Sequence, residues 1–192
     1  MKTRIDVINF IVAWYDKHDY LEIGCRNDDC FREVKARNKI GVDPERGGTH
    51  RMTSDAFFDT CDKCFDIIFI DGDHHHSQVQ RDLENALTHL KGDGFIVMHD
   101  CLPPSESYEK LDLCGTAWRV FAKARERFGL QAVTANFDYG VGVIRRALNT
   151  DPVIITQSLD ELTYYDFVKH RESWMRPVDH KQLIDWITVR ER

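Results

Sequence analysis

The sequence has no long hydrophobic run and no excess of positive charge, and each absence excludes a class of protein. No apolar run in its 192 residues approaches the ~20 residues that a helix needs to cross a membrane. Acidic residues outnumber basic ones by 32 to 26, which gives a net charge of −6. A nucleic acid or an anionic membrane is therefore not an expected partner, because both bind clustered lysine and arginine.

Cysteine is too sparse for a secreted domain held together by disulfides. The chain has six cysteines, and Cys61 and Cys64 form its CxxC pair. A structural zinc site would need a second pair of ligands, so unpaired thiols are favoured, with zinc or redox use of this pair as alternatives. The N-terminus has charges on both sides of a short apolar core and no small-residue cleavage site, which favours a helix over a signal peptide. The predicted location is the cytoplasm.

The most informative stretch, residues 65–101, has two short apolar runs that each stop at polar residues. The first run ends at Asp71 and Asp73, and the second ends at His99 and Asp100. A helical pattern lies between the runs. Wholly apolar runs separated by a helix are typical of parallel strands buried on both faces. Ligands bind beyond the carboxyl ends of such strands, so we expect these four side chains to converge on one site.

The rest of the chain continues the alternation of strand and helix. Strands are predicted near residues 20–24, 39–43, 50–53, 67–70, 95–98, 130–134 and 139–145. Helices are predicted near residues 3–18, 27–37, 54 onward, 116–128, 158–170 and 179–190, besides the one between the two apolar runs. The pattern predicts an α/β fold: a doubly wound, mostly parallel sheet with an antiparallel strand near the C-terminus and helices on both faces. We place the domain at residues 1–150 and a helical extension, packed on the same domain, at residues 151–192.

A cofactor site is predicted at the end of the first strand. Asp43 lies 19 residues after Gly24, near the ~20 residues at which an acid meets ribose hydroxyls in dinucleotide-binding folds. The second glycine of a dinucleotide loop is missing, because Arg26 stands at its position. A ligand with ribose and adenine but no phosphate does not require that glycine. S-adenosylmethionine (SAM) is such a ligand.

These motifs resemble class I SAM-dependent methyltransferases, specifically the small bacterial group whose fourth strand ends in Asp-Gly-Asp-His, here residues 71–74. The resemblance covers about residues 21–144 and implies a Rossmann-like methyltransferase sheet. It also implies that Glu22 and Gly24 form the loop on the methionine side of SAM and that Asp43 holds the ribose. The full set of implied cofactor-binding residues is Glu22, Gly24, Asp43, Ser54, Asp55 and Asp71, with Ser54 also the expected N-cap of its helix.

A divalent metal is predicted beside the cofactor. Carboxylates at neighbouring strand ends raise one another's pKa unless a cation lies among them. Oxygen ligands suit Mg²⁺, and a histidine ligand shifts the preference toward Mn²⁺. Similar enzymes that methylate sugar or catechol-like hydroxyls imply Asp71, His99 and Asp100 as metal ligands and Asp73 as catalytic base. His74, directly after Asp73, is a candidate substrate contact or alternative base, with a local hydrogen-bonding role as the alternative. A SAM enzyme without a metal is the alternative.

The predicted function is SAM-dependent O-methylation of a small hydroxylated acceptor, such as a sugar or a secondary metabolite, with or without a divalent metal. Two alternatives stay open: a nicotinamide-dependent oxidoreductase, against which the missing glycines count, and a non-catalytic SAM- or metal-binding module. His75 and His76 are expected to be solvated. Aromatic residues of the C-terminal helices, such as Tyr164 and Trp174, favour core packing, with a lid or a homodimer face as the alternative.

Overall fold

The computed structural model of the chain describes residues 1–189, so the ends of the last predicted helix and of the predicted extension, residues 190–192, lie outside the described residues. The strands are β1 (Asp19–Ile23), β2 (Asn38–Val42), β3 (Phe65–Ile70), β4 (Leu90–Met98), β5 (Leu130–Ala135), β6 (Val141–Arg146) and β7 (Pro177–Val178). The α-helices are α1 (Arg4–Tyr15), α2 (Asp29–Glu33), α3 (Ser54–Phe58), α4 (His76–His89), α5 (Ala117–Ala124), α6 (Tyr164–Met175) and α7 (His180–Thr188).

All seven strands form one sheet in the order β2-β1-β3-β4-β6-β5-β7. The first four strands are parallel, β6 runs antiparallel between β4 and β5, and β7 is parallel to β5. The predicted mostly parallel sheet with an antiparallel strand is confirmed. The strand order of a dinucleotide-binding fold, 3-2-1-4-5-6, has no such inserted strand, which weighs against the oxidoreductase alternative.

The sheet is covered on both faces, which explains the continuous apolar runs in β3 and β4. In β3, Ile68 and Ile70 pack with α3, α4, α5 and α6, whereas Ile67 and Phe69 pack with α1, α2 and α7. Alternate residues of a strand point to opposite faces, so each apolar run contributes to two cores. In the described part of the chain, no helix has the length and apolar character of a membrane span.

Local hydrogen bonds move several helix boundaries from their predicted positions. The hydroxyl of Thr53, and not that of Ser54, accepts the capping N–H of α3, so the predicted N-cap is wrong by one residue. The N-cap of α4 is His75. Helix α2 ends at Glu33, four residues before the predicted end at Arg37, because Val34 is already extended.

Three further differences lie in the connections. The strand predicted near residues 50–53 is only an isolated bridge between Val42 and His50, so the strand that ends before Asp71 is the third along the chain. Strand β4 begins at Leu90, five residues before the predicted start near residue 95. Helix α6 begins six residues later than predicted, where Thr163 and Asp166 form a capping box.

Candidate active site

Polar side chains that follow β3 and β4 meet at the carboxyl edge of the sheet. Nδ1 of His99 lies 3.2 Å from a carboxylate oxygen of Asp71 and 3.1 Å from one of Asp100. Nε2 of His74 lies 3.6 Å from Asp71 and 3.4 Å from Asp100. Neighbouring parallel strands end at the same edge, so residues almost 30 positions apart in the sequence share one cluster.

Two more residues belong to this cluster and were not expected from the sequence. Arg4, at the start of α1, donates its backbone N–H to Asp138 at 2.8 Å, and its guanidinium lies 3.2 Å from the same carboxylate. Nε of Arg4 is 3.6 Å from Asp71. Asp138 lies in the tip between β5 and β6, 3.5 Å from Nε2 of His99. The sequence signal for Asp138 is its position in the turn of the predicted β5–β6 hairpin. Because β5 runs in the same direction as β4, this turn lies at the carboxyl edge of the parallel strands.

The charges of the cluster fix the protonation of His99. Burial alone would lower the pKa of His99, but the charge of Asp71 and hydrogen bonds with Asp100 and Asp138 raise it to about 12. Burial likewise acts to raise the pKa of Asp138, but hydrogen bonds from His99 and Arg4 bring it down to about 2. The pKa of Asp71 is also lowered, since His99, His74 and Arg4 outweigh its burial. His99 is therefore an imidazolium ion among three carboxylates.

The chemistry of these side chains fits a divalent cation. Asp71, His74 and Asp100 each offer one ligand atom, and these atoms all lie within 4.8 Å of one another. Two carboxylates and one imidazole form a donor set suited to Mg²⁺ or Mn²⁺. The third donor of this group is His74, whereas His99 is the predicted ligand. A protonated imidazole has no lone pair for a metal. His99 therefore stays a predicted ligand, and it would have to lose a proton before it could bind the metal.

The remaining residues of the Asp-Gly-Asp-His-His-His segment lie outside this cluster. Asp73 is exposed, and one of its oxygens accepts the backbone N–H of His75 at 2.8 Å. His76 is buried and not solvated as expected. Its ring nitrogens lie 3.0 Å from the hydroxyl of Thr116 and 2.9 Å from Asp160, which ties α4 to the segments around α5.

The loop after β1 has the backbone shape of a glycine-rich turn with a single glycine. Gly24 has φ of +87°, and a Cβ there would lie 2.2 Å from the carbonyl oxygen of Asp71. A glycine is needed because the ends of β1 and β3 touch at this point. Arg26 and Asp28 follow with φ of 49° and 64°. Residues 24, 26 and 28 thus all have a left-handed backbone, although only the first of them is a glycine.

Asp43 organises the wall opposite this loop. It is buried at the end of β2, and one of its oxygens accepts the N–H of Arg26 at 2.8 Å. Its other oxygen accepts the N–H groups of Glu45 and Arg46, both at 2.8 Å. A carboxylate has about four lone-pair positions, so one remains for a ribose hydroxyl.

The other predicted cofactor residues have partners inside the fold. Glu22 is 1% exposed and accepts the hydroxyl of Tyr20. Its burial raises its pKa to about 7. The side chain of Gln78 on α4 donates to Ser54 at 3.1 Å and to Asp55 at 3.2 Å, so these two residues join α3 to α4. None of these three contacts reaches the cluster around Asp71.

Comparisons with known proteins relate part of the chain to one family. Residues 22–101 match a family described as a methyltransferase domain. No curated protein matches the chain by sequence.

Three solved structures illustrate the likeness in fold. A candidate caffeoyl-CoA O-methyltransferase of Staphylococcus aureus has a TM-score of 0.60 at 15% identity, over 74% of this chain and 82% of that one. TomG of Streptomyces achromogenes, an O-methyltransferase of tomaymycin synthesis in complex with SAM, has a TM-score of 0.59 at 12% identity, over 75% and 79%. An O-methyltransferase of Bacillus cereus, in complex with S-adenosylhomocysteine (SAH), has a TM-score of 0.53 at 14% identity, over 73% and 78%.

The chain therefore has the class I methyltransferase fold, and residues 22–101, less than half of its length, match a methyltransferase domain. The fold predicted from the sequence is confirmed, and the match supports the predicted family and enzyme class.

Proposed function

We propose that this protein transfers the methyl group of SAM to a hydroxyl of a small acceptor, a sugar or a secondary metabolite, with the help of a divalent cation. The observation that carries the proposal is the group formed by Asp71, His74 and Asp100, with donor atoms within 4.8 Å of one another. The group lies at the carboxyl edge of the parallel strands, where ligands bind in such sheets. The O-methyltransferases of similar fold that hold SAM or SAH support the same reaction.

The loop after β1 and the end of β2 would hold the cofactor. SAM supplies an activated methyl group on a sulfonium ion when it is bound. Gly24 lets the loop pass against β3, and Asp43 offers its remaining lone pair to a ribose hydroxyl. Asp71 places a carboxylate with a lowered pKa directly after β3. Such a negative charge favours a ligand that carries positive charge.

Asp71, His74 and Asp100 would hold the cation. A bound cation lowers the pKa of an acceptor hydroxyl. Asp73 remains the predicted base, because one of its oxygens caps the start of α4 through His75 and the other is left to accept a proton. Asp138 holds His99 in place beside these ligands, and Arg4 in turn pairs with Asp138.

Binding of SAH, the demethylated product, tests the cofactor. We expect SAH to raise the melting temperature, with a stabilisation of roughly 2.7 kcal/mol at 100 times its Kd. Asp43→Asn should weaken binding in isothermal titration calorimetry, whereas Asp62→Asn, which changes an exposed acid in the loop before β3, should not. Absence of any shift at saturating SAH would overturn the proposed function.

Binding of Mn²⁺, followed by electron paramagnetic resonance without any acceptor, tests the metal. We expect Asp71→Asn to weaken binding at least about tenfold relative to the wild type and to Asp62→Asn. His74→Asn and His99→Asn identify the third ligand, because only the variant that removes a ligand should bind more weakly. Equal binding by Asp71→Asn and the wild type, or turnover that persists in EDTA, would remove the metal from the proposal.

A further inference from the structure

A cavity of about 410 Å³ lies beside the cluster, between the loop after β4, the tip of the β5–β6 hairpin and α6. Its size falls within the roughly 300 to 1,000 Å³ of small-molecule sites. The loop contributes Leu102, Pro103 and Pro104, and the hairpin tip contributes Phe137 and Tyr139. The cavity adjoins the region where an acceptor of methyl transfer would have to lie.

Backbone contacts join this cavity to the cluster. Cys101 donates its N–H to the carbonyl of Gly140 at 3.0 Å, and Leu102 donates to that of Tyr139 at 2.7 Å. Asp100 directly precedes this pair of hydrogen bonds in the chain. It is two residues from Leu102 of the cavity wall, a span of at most about 7 Å. The wall of the cavity therefore begins within two residues of Asp100 along the chain.

Tyr139 forms the boundary between the cavity and the cluster. The residue is 49% exposed, and its ring meets that of His99 edge-on, with centroids 6.4 Å apart, and stacks on that of Tyr108 at 5.8 Å. The backbone of Tyr139 is left-handed, with φ of 57°, a conformation rare for a bulky residue and found mostly where the surroundings impose it. The ring is thus held in place with a free face, which is the arrangement that an aromatic ligand stacks on.

The opposite wall is aromatic as well. Tyr164 and Phe167 of α6 line it, with ring centroids 5.5 Å apart. The hydroxyl of Tyr164 donates to the carbonyl of Pro103 at 3.4 Å, which fixes α6 against the loop after β4. A sugar would need many hydrogen-bond partners to replace its water. Rings and prolines on three sides favour a flat apolar ligand instead.

Arg171 is the only charged residue that lines the cavity in the described part of the chain. Its guanidinium donates to Asn136 at 3.0 Å and pairs with Glu172, whose side chain is 79% exposed. An exposed pair of this kind contributes little, so the guanidinium remains available to an anion in the cavity. The guanidinium fork matches a carboxylate in two parallel hydrogen bonds.

We propose that this cavity is the acceptor pocket and that the acceptor is a hydroxylated aromatic compound with an anionic group, the anion bound by Arg171. The inference rests on the proposed function and narrows its acceptor, a sugar or a secondary metabolite, to an aromatic compound. The ring packs against Tyr139 and Phe167, and the hydroxyl faces Asp100.

Calorimetric binding of three probes to the protein, with and without saturating SAH, tests the inference. The probes are protocatechuate, which is aromatic and anionic, its methyl ester, which is aromatic and neutral, and glucuronate, which is an anionic sugar. We expect protocatechuate to bind about tenfold more tightly than its ester, as the loss of one charge-assisted contact would predict, and glucuronate to bind most weakly. Failure of protocatechuate to bind, or glucuronate binding as tightly, would overturn the inference.

Variants show whether the anion lies at Arg171. Arg171→Gln should abolish the preference for protocatechuate over its ester, whereas Arg37→Gln, an exposed arginine before β2, should preserve it. Val168 is 58% exposed at the cavity wall, so substitutions there leave the core intact. Val168→Glu should weaken protocatechuate and spare the ester, and Val168→Gln should change both equally. A preference unchanged in Arg171→Gln and Val168→Glu would place the anion elsewhere and overturn the inference.

The two proposals fail separately in this experiment. Binding of SAH without binding of protocatechuate leaves the methyltransferase proposal intact and removes the aromatic acceptor. Binding of protocatechuate that depends on Arg171 but occurs without any affinity for SAH supports the pocket and removes the cofactor.

Discussion

Arg26 and Asp28 hold a backbone conformation in the loop after β1 that a side chain disfavours. Their φ values of 49° and 64° lie in the left-handed region, which costs a non-glycine residue roughly 1 to 2 kcal/mol. Aspartate tolerates this region better than arginine, and Asp28 also accepts the N–H of Gly48 at 2.6 Å. The strain is therefore concentrated at Arg26, whose backbone N–H is held by Asp43.

Arg26→Gly is expected to stabilise the protein by about 0.5 to 1 kcal/mol, because the strain it relieves exceeds the added entropy of the unfolded chain. The substitution keeps the N–H donated to Asp43. Urea unfolding measures the effect. Arg37→Gly is the control, since Arg37 is exposed and is not among the left-handed residues, and it should lose about as much as Arg26→Gly gains. Equal losses in both variants would show that the loop is not strained.

Glu22 gives the stability a dependence on pH. Burial raises its pKa to about 7, above the ~4.3 expected in the unfolded chain. The folded state thus keeps the proton to higher pH than the unfolded chain does. The corresponding stability is complete below about pH 4 and is lost as the pH rises through about 7.

Glu22→Gln should remove this loss, because the amide stays neutral and can still accept the hydroxyl of Tyr20. Between about pH 5 and about pH 8, we expect the wild type to lose on the order of 2 kcal/mol more free energy of unfolding than the variant. Chemical denaturation over this range measures both proteins, and all other titrating groups cancel in the comparison. Parallel curves for the two proteins would contradict the raised pKa.

At the scale of elements, Arg4, the first residue of α1, connects this helix to the cluster around Asp71. Arg4 joins three segments: its own helix, the β5–β6 tip through Asp138, and the end of β3 through Asp71. Its side chain is about three-quarters buried, so these pairs are shielded from solvent more than surface pairs are. A helix on one face of the sheet thereby helps to hold the cluster at the sheet edge.

Arg4→Gln is expected to destabilise the protein by about 1 to 3 kcal/mol, since it leaves Asp138 and Asp71 with less compensating charge. Lys2→Gln is the matched control, because Lys2 is exposed and its contact with Asp6 is made by its backbone. Thermal and urea unfolding compare the two variants. Losses of equal size would mean that the contacts of Arg4 contribute no more than a surface charge does.

At the scale of the whole molecule, the C-terminal segment completes both cores. Helix α6 adds Phe167, Trp174 and Met175 to the face that holds α4 and α5. Helix α7 adds Leu183 and Ile187 to the opposite face, and β7 joins the sheet edge between them. These contacts support the predicted packing of the extension on the same domain, and the boundary at residue 150 stays a prediction.

Leu183→Ala should therefore cost about 2 to 5 kcal/mol and leave a single unfolding transition, because Leu183 is fully buried in the core against the sheet. Leu148→Ala is the control, with a side chain that is 68% exposed, and should change stability by less than about 0.5 kcal/mol. Two separate transitions in the Leu183 variant would show that the extension unfolds by itself.

Much of the site was predictable because its residues follow strands. Asp71, His99 and Asp100 end apolar runs, and parallel strands bring their ends to one edge. Arg4 and Asp138 do not follow apolar runs, since one begins a helix and the other lies in a turn. His76 was misjudged for a related reason: its burial depends on Thr116 and Asp160, which are 40 and 84 residues away.

The sequence by itself determined the layered α/β architecture, the antiparallel strand near the C-terminus and the edge at which the polar residues gather. Hydrophobic periodicity and the polar residues at strand ends are local features, and both can be read directly from the sequence. Only the tertiary structure decided which imidazole is paired with carboxylates on both sides, which loop residues take a left-handed backbone without glycine, and where an aromatic cavity opens beside Asp100. Each of these depends on distances between segments far apart in the sequence, and such distances are set by packing.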